Sequence, residues 1–213
     1  MLDSFISRKA CNTYILYNEN KDGVLVDPGF NEENRLIEHI HKIGVNIVAI
    51  IITHAHFDHV TALDDVLNEF KDATTYVNED EVELLENPKL NLSRFRDDGL
   101  DKIIDSIPDK VVKLTDNEEF IEAGFKIKMI KTPFHTKGSA CFYVPSENIL
   151  FSGDTLFYTT IGRVDLPTSS PRTIETSLKK LLALPLETKV YPGHGPATTM
   201  ERESKYNTYL RNI

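Results

Sequence analysis

The feature that most constrains this chain is an uninterrupted apolar run at residues 47–52, which reads Ile-Val-Ala-Ile-Ile-Ile. Five of its six residues are β-branched, and such residues favour strands over helices. A strand without polar alternation is typical of a sheet that is covered on both faces. Thr53 and His54 follow immediately, so the carboxyl end of this buried strand is predicted to present polar side chains at the edge of the sheet.

Other segments with clear periodicity alternate between strands and helices. Runs rich in β-forming residues predict strands at 13–18, 23–27, 74–77, 125–131, 139–145, 148–152 and 188–191. Apolar stripes with helical spacing predict amphipathic helices at 32–43, 59–70 and 171–183. This mixture of hairpins and strand–helix units indicates the α/β class, with layered sheets and helices outside them.

The length of 213 residues predicts one domain that spans 1–213. Residues 86–116 show no clean period, and we expect a loop or short-helix excursion over the surface there. Long irregular segments in compact domains are often functional, so a lid role is one hypothesis for it.

Composition excludes several classes of protein. The formal net charge of −9 disfavours nucleic-acid and anionic-membrane partners. The longest apolar run is far shorter than the roughly 20 residues that span a bilayer. No signal peptide is visible, and the two cysteines, Cys11 and Cys141, are predicted to be reduced core residues. We therefore expect a cytoplasmic protein.

The histidines indicate the chemistry. Residues 53–59 read Thr-His-Ala-His-Phe-Asp-His directly after the buried strand. In extended backbone the side chains of His54 and His56 point the same way and can bind one ion. Asp58 and His59 lie where the next helix begins, so both can address a second ion nearby. Unpaired polar side chains at a strand end are costly unless they are hydrogen-bonded or bound to metal.

Three further candidate ligands also follow predicted strands. His135 comes after the 125–131 strand, Asp154 after the 148–152 strand, and His194 after the 188–191 strand. Each would be a weak signal alone. Several strand ends that each deliver a nitrogen or oxygen ligand predict a common site.

These motifs, in this order, resemble those of the metallo-β-lactamase superfamily, and the resemblance covers nearly the whole chain. Three segments look most like its small glyoxalase II-like hydrolases: residues 153–157, 161–165 and 192–196. The resemblance implies an αββα sandwich of two mixed β-sheets with helices on both outer faces. It also implies a metal-dependent thioester hydrolase.

The resemblance further assigns the ligands to two divalent metal ions. The first is bound by His54, His56 and His135, the second by Asp58, His59 and His194, and Asp154 bridges them. Asp58 and Asp154 are the predicted catalytic carboxylates, Asp58 by orienting a metal-bound hydroxide that attacks the acyl carbon. A set of imidazoles and carboxylates without thiolate suits zinc, iron or manganese, and zinc is the expected metal.

Supporting residues are predicted around these ligands. Asp27 and Thr53 are candidates to accept the second N–H of a ligand histidine or to hold the ligand loop. Lys137 and Arg163 are candidate cations for a substrate carboxylate, and Tyr158 is a candidate donor. For Lys137, plain solvent exposure is an equal alternative, and Arg163 has the alternative of an ion pair with Asp165.

Two features leave the substrate open. Only one helix is predicted after His194, whereas larger glyoxalase II enzymes carry a helical domain that supplies cations to glutathione, so the carrier thiol of the small-molecule acyl substrate is not fixed. The alternative function is that of a persulfide dioxygenase, which shares the fold and uses a single iron. The complete second set of ligands favours the hydrolase.

Overall fold

The computed structural model describes residues 1–6, 11–95 and 111–213. Two six-stranded sheets form its centre, and a short two-stranded ribbon lies beside them. Residues early in the chain build the first sheet, called here the N-terminal sheet, and later residues build the C-terminal sheet.

The N-terminal sheet is mixed. Its strands lie in chain order: β1 (Leu2–Ile6), β2 (Asn12–Tyr17), β3 (Asp22–Val26), β4 (Asn46–Ile52), β5 (Thr74–Asn78) and β6 (Val111–Leu114). The first three pair antiparallel, and β3 to β6 pair parallel. Helices return the chain between the parallel strands β3, β4 and β5, as such crossovers require.

The C-terminal sheet is also mixed. In chain order its strands are β7 (Glu119–Glu122), β8 (Phe125–Lys131), β9 (Ala140–Val144), β10 (Ile149–Gly153), β13 (Lys189–Pro192) and β14 (Thr198–Thr199). The ribbon consists of β11 (Leu156–Phe157) and β12 (Thr160–Ile161). The predicted hairpin at 139–145 and 148–152 is confirmed by the antiparallel pair β9 and β10.

The helices are short. Within the described ranges they are α1 (Arg35–Ile43), α2 (Phe57–Val60), α3 (Leu63–Glu69), α4 (Val82–Leu85), α5 (Ile174–Leu182), α6 (Met200–Tyr206) and α7 (Thr208–Arg211). Helix α1 ends at Gly44, whose φ of 71° is the left-handed conformation that glycine adopts without strain. None of the helices in the described part of the chain is both long and apolar enough to cross a bilayer.

Strand β4 shows how the sequence produces the layers. Ile50 and Ile52 pack beneath α1 and α3, whereas Ala49 and Ile51 face the C-terminal sheet. Side chains alternate along a strand, so a run that is apolar throughout is what a sheet covered on both faces needs. On the far side of the C-terminal sheet, a third apolar cluster packs against α5, α6 and α7. The predicted αββα sandwich is confirmed.

The sheet topology brings several strand ends to one edge. Strand β10 is parallel to β13 and two antiparallel steps from β8, so β8, β10 and β13 all run in the same direction. The loop after each of these strands carries one predicted ligand. The segment after β4, in the facing sheet, carries the other four, two in the loop and two in α2: His54, His56, Asp58 and His59.

Three details of the predicted elements are wrong. The single helix expected after His194 is two short helices, α6 and α7. The helix predicted at 59–70 is two helices, α2 and α3, separated by Thr61 and Ala62. Residues 111–114, which we expected to be irregular, form β6 and pair with β5. The lid prediction falls mainly on residues 96–110, which lie outside the described residues.

Candidate metal centre

Three buried histidines form the first ligand group. His54 and His56 follow β4, and His135 follows β8. Their ring centroids lie 4.7–4.9 Å apart, with the ring planes close to perpendicular, and Nδ1 of His56 is 3.0 Å from Nε2 of His135. Two nitrogens on one tetrahedral zinc, each about 2.0 Å from the metal, lie about 3.3 Å apart. The three rings are therefore arranged as ligands of one ion.

Burial controls the protonation of this group. The pKa of His56 is lowered to about 3, first by burial and then by His135. Burial also lowers the pKa values of His54 and His135 below the ordinary value. Neutral imidazole is the form that binds a metal ion, so the three side chains are held in the binding form at neutral pH.

The second ligand group is more open. Nε2 of His194 lies 3.2 Å from Oδ2 of Asp58 and 3.3 Å from Nε2 of His59. The side chain of His59 is fully buried, whereas those of Asp58 and His194 are 27% and 33% exposed. This group therefore meets the solvent on one side.

Charges within the second group oppose the effect of burial. Burial raises the pKa of Asp58, but His59 and His194 outweigh it and hold the pKa well below the usual range. Burial lowers the pKa of His59, but Cys11 and the carboxylates of Asp154, Asp58 and Asp27 outweigh it and raise the pKa. The carboxylates here thus favour a cation.

Asp154 lies between the two groups, directly after β10. Its Oδ1 is 3.4 Å from Nε2 of His59, and its Oδ2 is 3.4 Å from Nε2 of His135. Oδ2 also lies 3.7 Å from Nε2 of His194, so the carboxylate faces both groups. Gly193 makes this approach possible, because a Cβ there would lie 2.5 Å from both Asp154 Oδ1 and His59 Cε1.

The two predicted supporting residues contact the ligand loop. Asp27 Oδ2 accepts from the Thr53 hydroxyl at 2.7 Å and pairs with His59 Nδ1 at 2.9 Å, while Asp27 Oδ1 accepts from the Thr53 amide at 2.8 Å. Thr53 Oγ1 in turn lies 3.2 Å from His54 Nδ1. Asp27 thus fixes the ring of His59 directly and that of His54 through Thr53, which leaves Nε2 of each ring for the centre.

The donor set fits metal ions. Two buried ligand atoms in the cluster have no hydrogen-bond partner within the described ranges: His54 Nε2 and Asp154 Oδ1. A buried polar atom without a partner is costly, and a bound cation removes that cost. Ligand atoms within each of three groups lie within 4.8 Å of one another: His54–His56–His135, His54–His59–Asp154 and Asp58–His59–His194. The structure thus brings all seven predicted ligands together.

A cavity of about 480 Å³ opens over the centre. Five of the ligands form its floor, and its walls are mainly apolar: Leu92, Phe157, Thr160, Ile161, Arg163 and Leu166. Of these wall residues the sequence indicated only Arg163. The others carry no chemical signal in the sequence and become neighbours only through the fold.

The three predicted substrate-binding residues are placed differently. Arg163 lines the cavity, but its guanidinium forms two hydrogen bonds with Asp165, at 2.6 and 2.7 Å. Lys137 lies outside the cavity lining and pairs with Glu83. Tyr158 is also outside it, and the guanidinium of Arg202 stacks 3.8 Å from its ring centroid. Only Arg163 is in a position to meet a substrate in the cavity.

The fold and the ligand set define a metal-dependent hydrolase of a widespread class. The chain belongs to the metallo-beta-lactamase superfamily, whose profile matches residues 6–194. A probable metallo-hydrolase of Streptococcus pyogenes is 37% identical over 201 residues, which cover 93% of this chain and 85% of the relative. The hydroxyacylglutathione hydrolase GloC of Haemophilus influenzae is 31% identical over 202 residues, covering 94% of this chain and 93% of GloC.

Solved structures show the same similarity. The crystal structure of BLEG-1 B3 metallo-beta-lactamase has a TM-score of 0.90 to this chain at 36% identity, with 99% of each chain covered. TTHA1623, solved in a di-iron-bound form, has a TM-score of 0.81 at 33% identity, covering 99% of this chain and 100% of its own. These similarities support two metal ions in the His/Asp cluster, without fixing their identity.

Proposed function

We propose that this protein hydrolyses small acyl thioesters at a centre of two divalent metal ions. The observation that carries the proposal is Asp154, which faces both ligand groups at the floor of an apolar cavity. His54, His56 and His135 would hold one ion, and Asp58, His59 and His194 the other. When bound, two such ions lower the pKa of water and polarise a carbonyl, so no serine or cysteine nucleophile is needed.

Asp58 is the residue that orients the attacking water. Its carboxylate lies at the cavity floor and is partly exposed, and its lowered pKa keeps it ionised at neutral pH. An ionised carboxylate accepts hydrogen bonds only, so it holds a water by one O–H and directs the oxygen lone pair toward the substrate. Asp154 is too buried for this task, and it positions the two groups relative to each other.

The cavity walls select the acyl group. Leu92, Phe157, Ile161 and Leu166 give a surface that binds aliphatic or aromatic groups and excludes water. The Arg163 cation is paired with Asp165, so it offers little net charge to a substrate carboxylate. This favours neutral acyl groups over acidic ones, and it leaves the carrier thiol outside the cavity.

The relatives support the thioester, and they also define the competing substrate. GloC is named for hydrolysis of a hydroxyacyl thioester of glutathione, whereas BLEG-1 is named a beta-lactamase. Both are hydrolases of activated acyl compounds, so one centre suits either reaction. We propose zinc as the metal because the ligands are imidazoles and carboxylates, and a cytoplasmic location because Cys11 and Cys141 are both free and buried.

The test is a substrate panel with metal analysis. The protein is purified without oxygen, its metals are counted by mass spectrometry, and it is assayed with hydroxyacyl-glutathione, short acyl thioesters of coenzyme A and a chromogenic cephalosporin. We expect thiol release from at least one thioester, its loss in Asp58→Ala, and its retention in the surface variant His41→Ala. Cephalosporin hydrolysis without thioester hydrolysis would overturn the proposal. Oxygen uptake with a persulfide and one iron per chain would instead establish the dioxygenase.

A further inference from the structure

A buried glutamate outside the seven ligands joins the two loops that carry the first ligand group. Glu81 ends the 3₁₀ turn Glu79–Glu81, which follows β5 and leads into α4. Its neighbour Glu79 is exposed and Asp80 half-buried, whereas Glu81 has no exposed surface. An ionisable residue is almost never buried so completely unless it has partners.

The partners of Glu81 lie on both ligand loops. Oε2 accepts a hydrogen bond from the Ala55 amide at 2.8 Å, and Ala55 separates His54 from His56. Oε1 accepts from the Gly138 amide at 2.8 Å and from the Thr136 hydroxyl at 2.6 Å, in the segment that follows His135. One carboxylate therefore ties the loop after β4, in one sheet, to the loop after β8, in the other.

The loop around Glu81 is built to receive it. A Cβ on Gly138 would lie 2.8 Å from the backbone nitrogen, Cγ and Oε1 of Glu81, so glycine allows the close approach. The Thr136 hydroxyl also lies 2.6 Å from Oγ of Ser139, which accepts from the Thr136 amide at 2.9 Å. These contacts fix the hydroxyl that donates to Glu81.

The charge of Glu81 has no full counter-charge among these partners, since all three donors are neutral. Burial raises the pKa of the carboxyl to about 7, although the hydrogen bonds from Thr136, Ala55 and Gly138 and the charge of Lys137 act in the opposite direction. A buried anion of this kind is stabilised when cations are bound close by.

We propose that Glu81 is a positioning residue that sets the separation of His54 and His56 from His135, and so determines the affinity of the first metal ion. The proposal rests on the metal-binding role of these histidines and does not depend on which acyl compound is hydrolysed. Residues that orient metal ligands in this way change metal affinity by about 10- to 100-fold when they are substituted.

The substitution Glu81→Gln keeps the shape of the side chain and breaks the link. A carboxamide has one acceptor oxygen, so it cannot accept from Ala55 on one side and Gly138 on the other, and at least one amide N–H loses its partner. Thr136→Val is a milder second variant, since it removes one of the three hydrogen bonds and keeps the carboxylate.

Glu203 provides a matched control. It is equally buried, and it accepts hydrogen bonds from the Thr159 amide, the Thr198 hydroxyl and the Asn207 amide group at 2.7–3.0 Å, with a further one from Arg202 at 3.0 Å. None of these partners is on the loops of the first group. Glu203→Gln therefore reproduces the loss of a buried carboxylate without loosening those histidines.

The experiment titrates the metal-free proteins with zinc and cobalt against a competing chelator and records unfolding separately. We expect Glu81→Gln to weaken the binding of one of the two ions by at least tenfold. When that ion is cobalt, its visible spectrum should shift. Thr136→Val should weaken the binding of the same ion by a smaller factor. Glu203→Gln should lower the free energy of unfolding and leave the affinities for both ions unchanged. Wild-type affinities in Glu81→Gln, or an equal loss in Glu81→Gln and Glu203→Gln, would overturn the proposal.

The assay separates this proposal from the proposed function. A wild-type protein that binds two ions but cleaves no thioester would contradict the substrate and leave Glu81 to be judged on affinity alone. A wild-type protein that binds no ion at the first group would contradict both.

Discussion

The two ligand groups of the centre differ in how much of them the protein covers. In the first group the side chains of His54, His56 and His135 are 1–3% exposed, and two loops from different sheets hold them. In the second group Asp58 and His194, which line the cavity together with His56 and His135, are 27% and 33% exposed. The first group is thus built to retain an ion, and the second to keep an ion in contact with substrate and solvent.

The largest effect is expected at the residue that both groups share. Asp154→Ala removes the carboxylate between them, so the cations would face each other without an anion to separate their charges. We expect kcat/KM to fall by about 1,000-fold or more, because the metal ions supply several kcal/mol of transition-state stabilisation. Steady-state kinetics and metal counting check this together, and an active variant with two ions bound would contradict the role of Asp154.

Stepwise removal of the metal ions tests whether the two ligand groups bind their ions with different strength. Because the second group is open to solvent, a chelator should remove its ion first, and the protein should pass through a form with one ion held by the three histidines. Mass-spectrometric metal counts during stepwise dialysis, with activity measured on the same samples, will show whether activity is lost with the first ion. Simultaneous release of both ions would show that the groups are not distinct.

Asp27 orients a histidine in each ligand group, and Asp27→Asn tests this role. Asp27 touches His59 directly but reaches His54 only through Thr53, so the second ion should lose more affinity than the first. We expect a loss of about 10- to 100-fold for the second ion in a chelator competition. Asp3→Asn, at a surface carboxylate that pairs with His39, is the control and should change neither affinity.

Glu81 gives the metal-free protein a defined pH dependence. Its carboxyl pKa rises from 4.5 to about 7 on folding, so between these values the folded state holds a proton that the unfolded state has lost. The contribution of Glu81 to the free energy of unfolding should therefore fall as pH rises through this window, by on the order of 3 kcal/mol. The lowered pKa values of His54, His56 and His135 act in the opposite direction in the wild type and in Glu81→Gln alike, so the difference between the two proteins isolates Glu81.

This contribution of Glu81 can be measured by denaturant unfolding of the metal-free wild type and of Glu81→Gln. Both proteins are unfolded at a pH below 4.5 and at a pH above 7. The two proteins should differ in their pH slope because the amide does not titrate. Parallel curves would contradict a raised pKa for Glu81.

The smallest effects are expected at the exposed cations. Lys137 lies outside the cavity lining and pairs with Glu83, and surface pairs of this kind contribute little. Lys137→Ala should therefore leave KM within about twofold of the wild-type value. Arg163→Ala should also change kcat little, since the guanidinium is engaged by Asp165. A large rise in KM for an acidic substrate in either variant would show that a cation does hold a carboxylate.

The ligands could be predicted from the sequence because their signal is local. The spacing of His54, His56, Asp58 and His59 after a buried strand places four polar groups at one strand end, and the topology of parallel strands brings the rest to the same edge. The αββα layers could also be predicted because apolar runs such as 47–52 are local signals of a strand that is covered on both faces.

Other parts of the centre had no local signal. Glu81 belongs to the run Glu79-Asp80-Glu81, which looks like an exposed acidic turn, and only hydrogen bonds to residues 26 to 57 positions away distinguish it from its neighbours. The cavity walls are ordinary apolar residues on separate loops. Strand β6 was missed because it is short and two of its four residues, Val112 and Lys113, are exposed, so it lacks the pattern of a buried strand.

The central claim is that two ions lie on either side of Asp154, one in each ligand group. A crystal structure of the metal-loaded protein with anomalous scattering at the metal edge tests it directly. The account predicts two peaks about 3.5–4 Å apart, one beside His54, His56 and His135 and one beside Asp58, His59 and His194. A single peak at full metal loading, with either group making no contact to it, would contradict the account.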